Sequence, residues 1–154
     1  MSNYNRITFK ERVRIEAGIY AGKSFSRIAK ELGRSTSSIT REVKQNRIQV
    51  HARLSAGKDC ILFSECQVTG LCEESCESYR CRMCRDHDCT EHCSKRIPYI
   101  CKRTEKAPYV CEGCAERSKK NCRFHKYYYL AEKADAKAMK KELNLLKRSL
   151  HQSF

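Results

Sequence analysis

Residues 8–46 read TFKERVRIEAGIYAGKSFSRIAKELGRSTSSITREVKQN, and the caps and turns written into this run decide the fold of the N-terminal third. Thr8-Phe9-Lys10-Glu11 has the form of a capping box, in which a Thr hydroxyl and a Glu carboxylate satisfy unpaired amides at a helix start. A helix therefore begins near Phe9, takes Val13, Ile15, Ala17 and Tyr20 as its apolar positions, and stops near Ala21, because Gly22 suits a left-handed cap. Ser24 caps a second, short helix over 25–32 that turns Ile28, Ala29 and Leu32 inward. Gly33 permits the sharp turn that follows. Ser35 caps a third helix running to Asn46, whose Ile39 and Val43 lie one turn apart and share a buried face. The small Ala29, the turn at Gly33 and the aliphatic Ile39 have the spacing of a helix-turn-helix.

With about 100 degrees between residues, Ser37, Arg41 and Lys44 lie opposite the Ile39/Val43 stripe, flanked by Ser38, Thr40 and Gln45. These are the candidates to touch base edges. Arg41 suits a bidentate contact to guanine and Gln45 one to adenine, while the hydroxyls, with Ser35, can meet bases or phosphates. Lys23, Arg27, Lys30 and Arg34 are the expected phosphate anchors.

Charge points the same way. The 154 residues hold 32 Lys and Arg against 18 Asp and Glu, a formal net charge of +14, which favours a polyanionic partner. Residues 1–50 carry 11 basic and 4 acidic side chains and no cysteine, whereas all 12 cysteines fall between Cys60 and Cys122. That break in composition divides the chain into a helix-turn-helix domain over 1–50, a linker over 51–58, a cysteine-rich zinc-binding region over 59–125 and a C-terminal helix over 126–154. The expected fold class is mainly α: an N-terminal three-helix helix-turn-helix, an irregular zinc-knuckle region and a long C-terminal helix. No run approaches the roughly 18 to 20 apolar residues of a spanning helix, and the first residues lack the apolar stretch of a secretory signal. A cytoplasmic, nucleoid-associated protein with no membrane partner is expected.

A reducing compartment opposes structural disulfides and leaves thiolates available to metal. Cys81-Arg-Met-Cys84 and Cys111-Glu-Gly-Cys114 are C-x-x-C knuckles, a spacing that brings two thiolates to one tetrahedral zinc from a tight turn. Cys101 and Cys122 flank the second knuckle and complete a four-cysteine set, with His125 as a substitute for Cys101. Cys60, Cys66, Cys72, Cys76, Cys81, Cys84, Cys89 and Cys93 make up two further sets in number, in a pairing the spacing leaves open, and His87 and His92 can enter them. Two to three structural zinc ions are expected, because a segment so poor in aliphatics needs crosslinks to fold. The cysteine run of bacterial ferredoxins is absent. Disulfides or idle thiols remain the competing reading.

Residues 124–150 read as one long helix with a stripe of Tyr129, Ala136, Met139, Leu143, Leu146 and Leu150, interrupted by Glu132. The stripe serves either a second copy of the chain or packing on the cysteine-rich region or a further domain. Tyr127, Tyr128 and Tyr129 can stack on bases, although ordinary packing is the stronger expectation.

The run from Ile7 to Asn46, containing ERVRIEAGIYAGKSFSRIAKELGRSTSSITREVKQN, resembles the N-terminal helix-turn-helix of insertion sequence thirty family transposases. The resemblance extends through the cysteine block and PYVCEGCAERSKKNCRFHKYYYLAEKA, similar to cysteine-rich bacterial members. It implies binding to the terminal inverted repeats of a mobile element, with Ser37, Thr40, Arg41 and Lys44 at positions matching the recognition helix. Family members continue into a ribonuclease-H-like domain with a magnesium-binding Asp-Asp-Glu triad, which this chain stops before, so a truncated transposase without enzymatic activity is expected. An intact transposase then becomes a further candidate partner. A stand-alone transcription regulator would use the same third helix on an operator, and a zinc hydrolase would need an open metal position that closed four-cysteine shells do not offer.

Overall fold

The computed structural model describes residues 6–52, 54, 58–71, 80–84, 89–116 and 122–152. Contacts sort the chain into two compact units, the first built from Met1–Val50, Lys102–Cys122 and Lys126–Phe154, the second from His51–Cys101 and Arg123–His125. The grouping departs from simple chain order, since the first unit joins its N-terminal stretch to two later ones.

In the first unit, helices α1 (Phe9–Tyr20), α2 (Phe25–Leu32) and α3 (Thr36–Asn46) stand where the caps place them. The Thr8 hydroxyl accepts from the Glu11 amide and the Glu11 carboxylate accepts from the Thr8 amide, closing the capping box. Ser24 and Ser35 accept from the amides of Arg27 and Ser38. Gly33 ends α2 at φ 63°, the left-handed region open to glycine at little cost.

The phase of α1 differs from the apolar pattern. Val13, Ala17 and Tyr20 are exposed, and the inner face is Arg12, Ile15, Gly18 and Ile19. Gly18 is inside because a Cβ there would lie 2.8 Å from Ile28 Cγ1, so the close crossing of α1 and α2 depends on the missing side chain. Arg12 is inside because it is paired: its Nε donates to Glu42 at 2.8 Å and its Nη1 to Asp135 at 2.7 Å, while the Tyr129 hydroxyl donates to the same Glu42 at 2.9 Å. Buried charges are tolerated when satisfied in this way.

Tyr129, Val110 and Ala134 join Ile15, Ile19, Phe25, Ile28, Ala29, Ile39 and Val43 in one core, so residues far along the chain finish the packing of the three-helix unit. The C-terminal helix also starts later than its stripe implies. Lys126–Tyr128 is strand β2, antiparallel to β1 (Ile48–Val50) with Ile48 opposite Tyr128 and Gln49 opposite Tyr127. The helix proper, α4, is Ala131–Gln152. Its first amide, Ala131 N, donates at 2.6 Å to the Glu16 carboxylate of α1, which places a negative charge at the positive end of the helix.

Among its described residues the second unit has little regular structure beyond short 3-10 turns at Phe63–Glu65, Cys81–Met83 and Cys89–His92. Asp59 organises it. Its carboxylate accepts from the Tyr99 amide at 3.0 Å and Arg96 Nη2 at 2.7 Å, and lies 3.0 Å from His125 Nε2. Burial works against the charged form of Asp59, but these donors outweigh it and lower its pKa.

The capping box carries a pH dependence. Hydrogen bonds from Arg34, first among the causes, hold the Glu11 carboxyl at about 2, down from its ordinary 4.5. A depressed folded-state pKa contributes stability that is complete above 4.5 and is lost as pH falls towards 2. Glu11→Gln should therefore unfold earlier than wild type in urea at pH 7, with the gap narrowing between pH 5 and pH 2. A gap that stays constant over that range would deny Glu11 this role.

Candidate nucleic-acid interface

Helix α3 is fixed from within and open without. Ile39 and Val43 are fully buried, and Glu42 is held between Arg12 and Tyr129. One inner side chain is thus clamped by ionic contacts on top of apolar packing, and the rotation of the helix about its own axis is set. The opposite face carries Ser37, Arg41, Lys44 and Gln45, all exposed, with Ser38 and Thr40 half-buried at its margins. That is the arrangement a recognition helix needs: a rigid back and a polar front with a donor fork (Arg41), an amide (Gln45) and hydroxyls.

At the start of the helix the Ser35 hydroxyl lies 2.8 Å from that of Ser38 and 3.1 Å from that of Ser37. The three hydroxyls cluster at the N-terminus of the helix, a favourable setting for a phosphate oxygen. At the other end Arg47 caps α3. Its Nη1 donates to the carbonyls of Thr104 at 2.8 Å and Tyr109 at 2.6 Å, and its guanidinium stacks 3.9 Å from the centre of the Tyr127 ring. Lys44 Nζ lies 5.0 Å from the centre of the Tyr109 ring. Arg47 therefore positions α3, a role with no signal in local sequence, since its partners lie more than 50 residues on.

The expected phosphate anchors differ from one another. Lys30 is exposed. Lys23 and Arg27 both reach Glu31, at 2.8 and 3.4 Å. Arg34 donates to Glu11 at 2.8 Å and to the Arg6 carbonyl at 2.9 Å, so its guanidinium joins the α2–α3 turn to the start of α1. Tyr127 and Tyr129, considered above as base-stacking groups, are engaged by Arg47 and by the core.

A groove of about 770 Å³ runs between α3 and α4, with Ser38, Arg41 and Gln45 on one wall and Ala138, Met139 and Glu142 on the other. Its acidic residues are already matched with cations, Asp135 with Arg12 and Glu142 with Arg6. Lys137 Nζ donates to the Gln45 carbonyl at 2.6 Å, fixing α4 beside the end of α3.

Nine cysteines among the described residues stand as thiols: Cys60, Cys66, Cys81, Cys84, Cys93 and Cys101 in the second unit, and Cys111, Cys114 and Cys122 in the first. Cys72 and Cys76 lie outside the described residues, as does the side chain of Cys89. His87 also lies outside them. Both C-x-x-C segments form closed turns, with the Cys84 amide donating to the Cys81 carbonyl at 3.2 Å and the Cys114 amide to the Cys111 carbonyl at 3.1 Å. Gly113 takes φ 76° in the second turn. The Tyr127 amide donates to Cys111 Sγ at 3.4 Å. These pairs fit half of a zinc shell, but among the described residues no three His, Cys, Asp or Glu side chains form a group that could hold a metal ion. His125 is occupied: its Nδ1 accepts from the Ala52 amide at 3.0 Å while Nε2 meets Asp59.

Residues 3–46 match the family model of a helix-turn-helix domain, and the match ends at the last residue of α3. No curated protein and no solved structure matches the chain. No helix among the described residues is long and apolar enough to cross a membrane.

Proposed function

We propose that the chain is the sequence-specific DNA-binding part of a mobile-element transposase, that it reads the terminal inverted repeats of its element through α3, and that it performs no chemistry itself. The observation that carries this reading is the outer face of α3: Ser37, Arg41, Lys44 and Gln45 exposed on a helix clamped from behind, inside a segment that matches a helix-turn-helix domain. Arg41 and Gln45 contact base edges, the three hydroxyls at Ser35, Ser37 and Ser38 and the ammonium of Lys30 contact phosphates, and Lys23 and Arg27 do so by exchanging Glu31 for a phosphate. Arg34 supports the turn. The partner is double-stranded DNA in the bacterial cytoplasm, and an intact transposase acting on the same ends would be a competitor by mass action. Two to three zinc ions, held by thiolate sets built on the Cys81/Cys84 and Cys111/Cys114 turns, crosslink the cysteine-rich stretches when bound.

Protein purified with zinc supplied, its metal counted by native mass spectrometry, and then incubated with sheared genomic DNA of its host tests the whole reading. The expected result is two to three zinc ions per chain and recovery of fragments that carry paired inverted repeats, left uncut in magnesium. Recovery of promoter fragments instead would make the protein a regulator, and unselective recovery would remove sequence-specific binding. A folded, metal-free chain would remove zinc alone.

A further inference from the structure

Helix α4 turns one face towards its own unit, with Ala131 and Ala134 buried and Asp135, Ala138 and Glu142 half-buried. A different face carries Ala136, Met139, Leu143, Leu146 and Leu150, at alternating intervals of three and four. The four large side chains are 59%, 56%, 58% and 65% exposed in that order, and every side chain from Leu143 to His151 is exposed. A helix of this kind gains its stability from packing an apolar stripe rather than from propensity.

The flanks of the stripe say what covers it. Intervals of three and four make Ala136, Leu143 and Leu150 the a positions of a heptad and Met139 and Leu146 the d positions. Lys133, Lys140 and Lys147 then all fall at e, and Asp135 and Glu142 at g. In a parallel pair, a g residue of one helix faces the e residue of the following heptad on the other. Glu142 thus faces Lys147 and Asp135 faces Lys140, twice each by symmetry. An antiparallel pair would set acid against acid and lysine against lysine. Asp135 is held by Arg12 at 2.7 Å, which leaves Glu142 and Lys147 as the discriminating pair, since the contact of Glu142 with the exposed Arg6 is a surface one.

We propose that α4 joins two copies of this chain as a parallel, left-handed coiled coil seamed by Met139, Leu143, Leu146 and Leu150. The inference rests on the a, d, e and g pattern and is independent of the DNA reading. Two heptads make a short seam, so the dimer dissociates at roughly micromolar concentration, at the weak end of specific interfaces.

Sedimentation equilibrium of the full chain without DNA, over about 1–200 µM, tests this directly. Wild type is expected to follow a monomer–dimer equilibrium and Leu146→Glu to remain monomeric, with helix content by circular dichroism preserved because residue 146 is exposed in the monomer. Lys147→Glu should raise the dissociation constant about tenfold, and Glu142→Lys combined with Lys147→Glu should restore it. Weakening by the single change and rescue by the double reversal belong together to the parallel arrangement, because only there do residues 142 and 147 face each other across the seam. A wild type that stays monomeric throughout, or a double variant no better than the single one, would overturn the proposal.

Discussion

Arg12→Ala is expected to lower the stability of the first unit by about 3–5 kcal/mol, the range seen when one partner of a buried charged pair is removed. Arg12 is 7% exposed and Glu42 8%. Taking away the guanidinium strands the Glu42 carboxylate behind α3 with the Tyr129 hydroxyl as its remaining donor among the contacts described above, and strips Asp135 of its cation. Small domains hold together by only about 5–15 kcal/mol in total, so the variant should sit near the edge of unfolding. The urea midpoint, followed by circular dichroism, should fall steeply. Arg12→Met combined with Glu42→Leu should recover part of the loss, since the buried Glu42 carboxylate is no longer stranded, while Asp135 and the Tyr129 hydroxyl still lose the partners described above. An unchanged midpoint in Arg12→Ala would mean that the cluster does not organise α1, α3 and α4 as described.

What the sequence made legible, and what it did not, follows the range of the interactions involved. The three helices of the N-terminal third are punctuated locally, by Thr8 with Glu11, by Ser24, by Gly33 and by Ser35, and each cap acts within four residues of itself. The outer face of α3 was equally accessible, because Ile39 and Val43 fix its phase. Arg12 and Glu42 were hidden, since a charged side chain on an amphipathic helix ordinarily marks the solvent side, and only partners 30 and 123 positions away make burial affordable. The same blindness moved the apolar face of α1 towards Val13 and Tyr20 and away from Gly18, whose place is set by Ile28 of the next helix. Strand β2 falls inside a run with helical periodicity because its three residues are too few to show a strand pattern of their own; their partner is β1, near residue 50. Asp59 and His125 meet across 66 positions. Both C-x-x-C segments form closed turns, but a spacing does not say which thiols converge.

Arg41→Ala is the second large effect expected. Arg41 stands in the exposed middle of α3, where a guanidinium fork can take both major-groove acceptors of one guanine, a contact that discriminates against a wrong base by about 1–3 kcal/mol. Its loss should weaken the preferred site by that amount and leave random duplex binding almost unchanged, since the phosphate contacts survive. Lys30→Ala should do the reverse and weaken all duplexes alike, with a shallower dependence on salt. Neither change touches the core, so both variants should melt with wild type. Selection of bound sequences from a library of random duplexes, run in parallel on wild type and Arg41→Ala, shows whether α3 reads bases. Wild type is expected to enrich one motif, and Arg41→Ala the same motif with the preference for guanine flattened at a single position. A wild-type pool that stays random, or an Arg41→Ala motif with every position as sharp as before, would contradict the assignment of α3 as the helix that reads DNA.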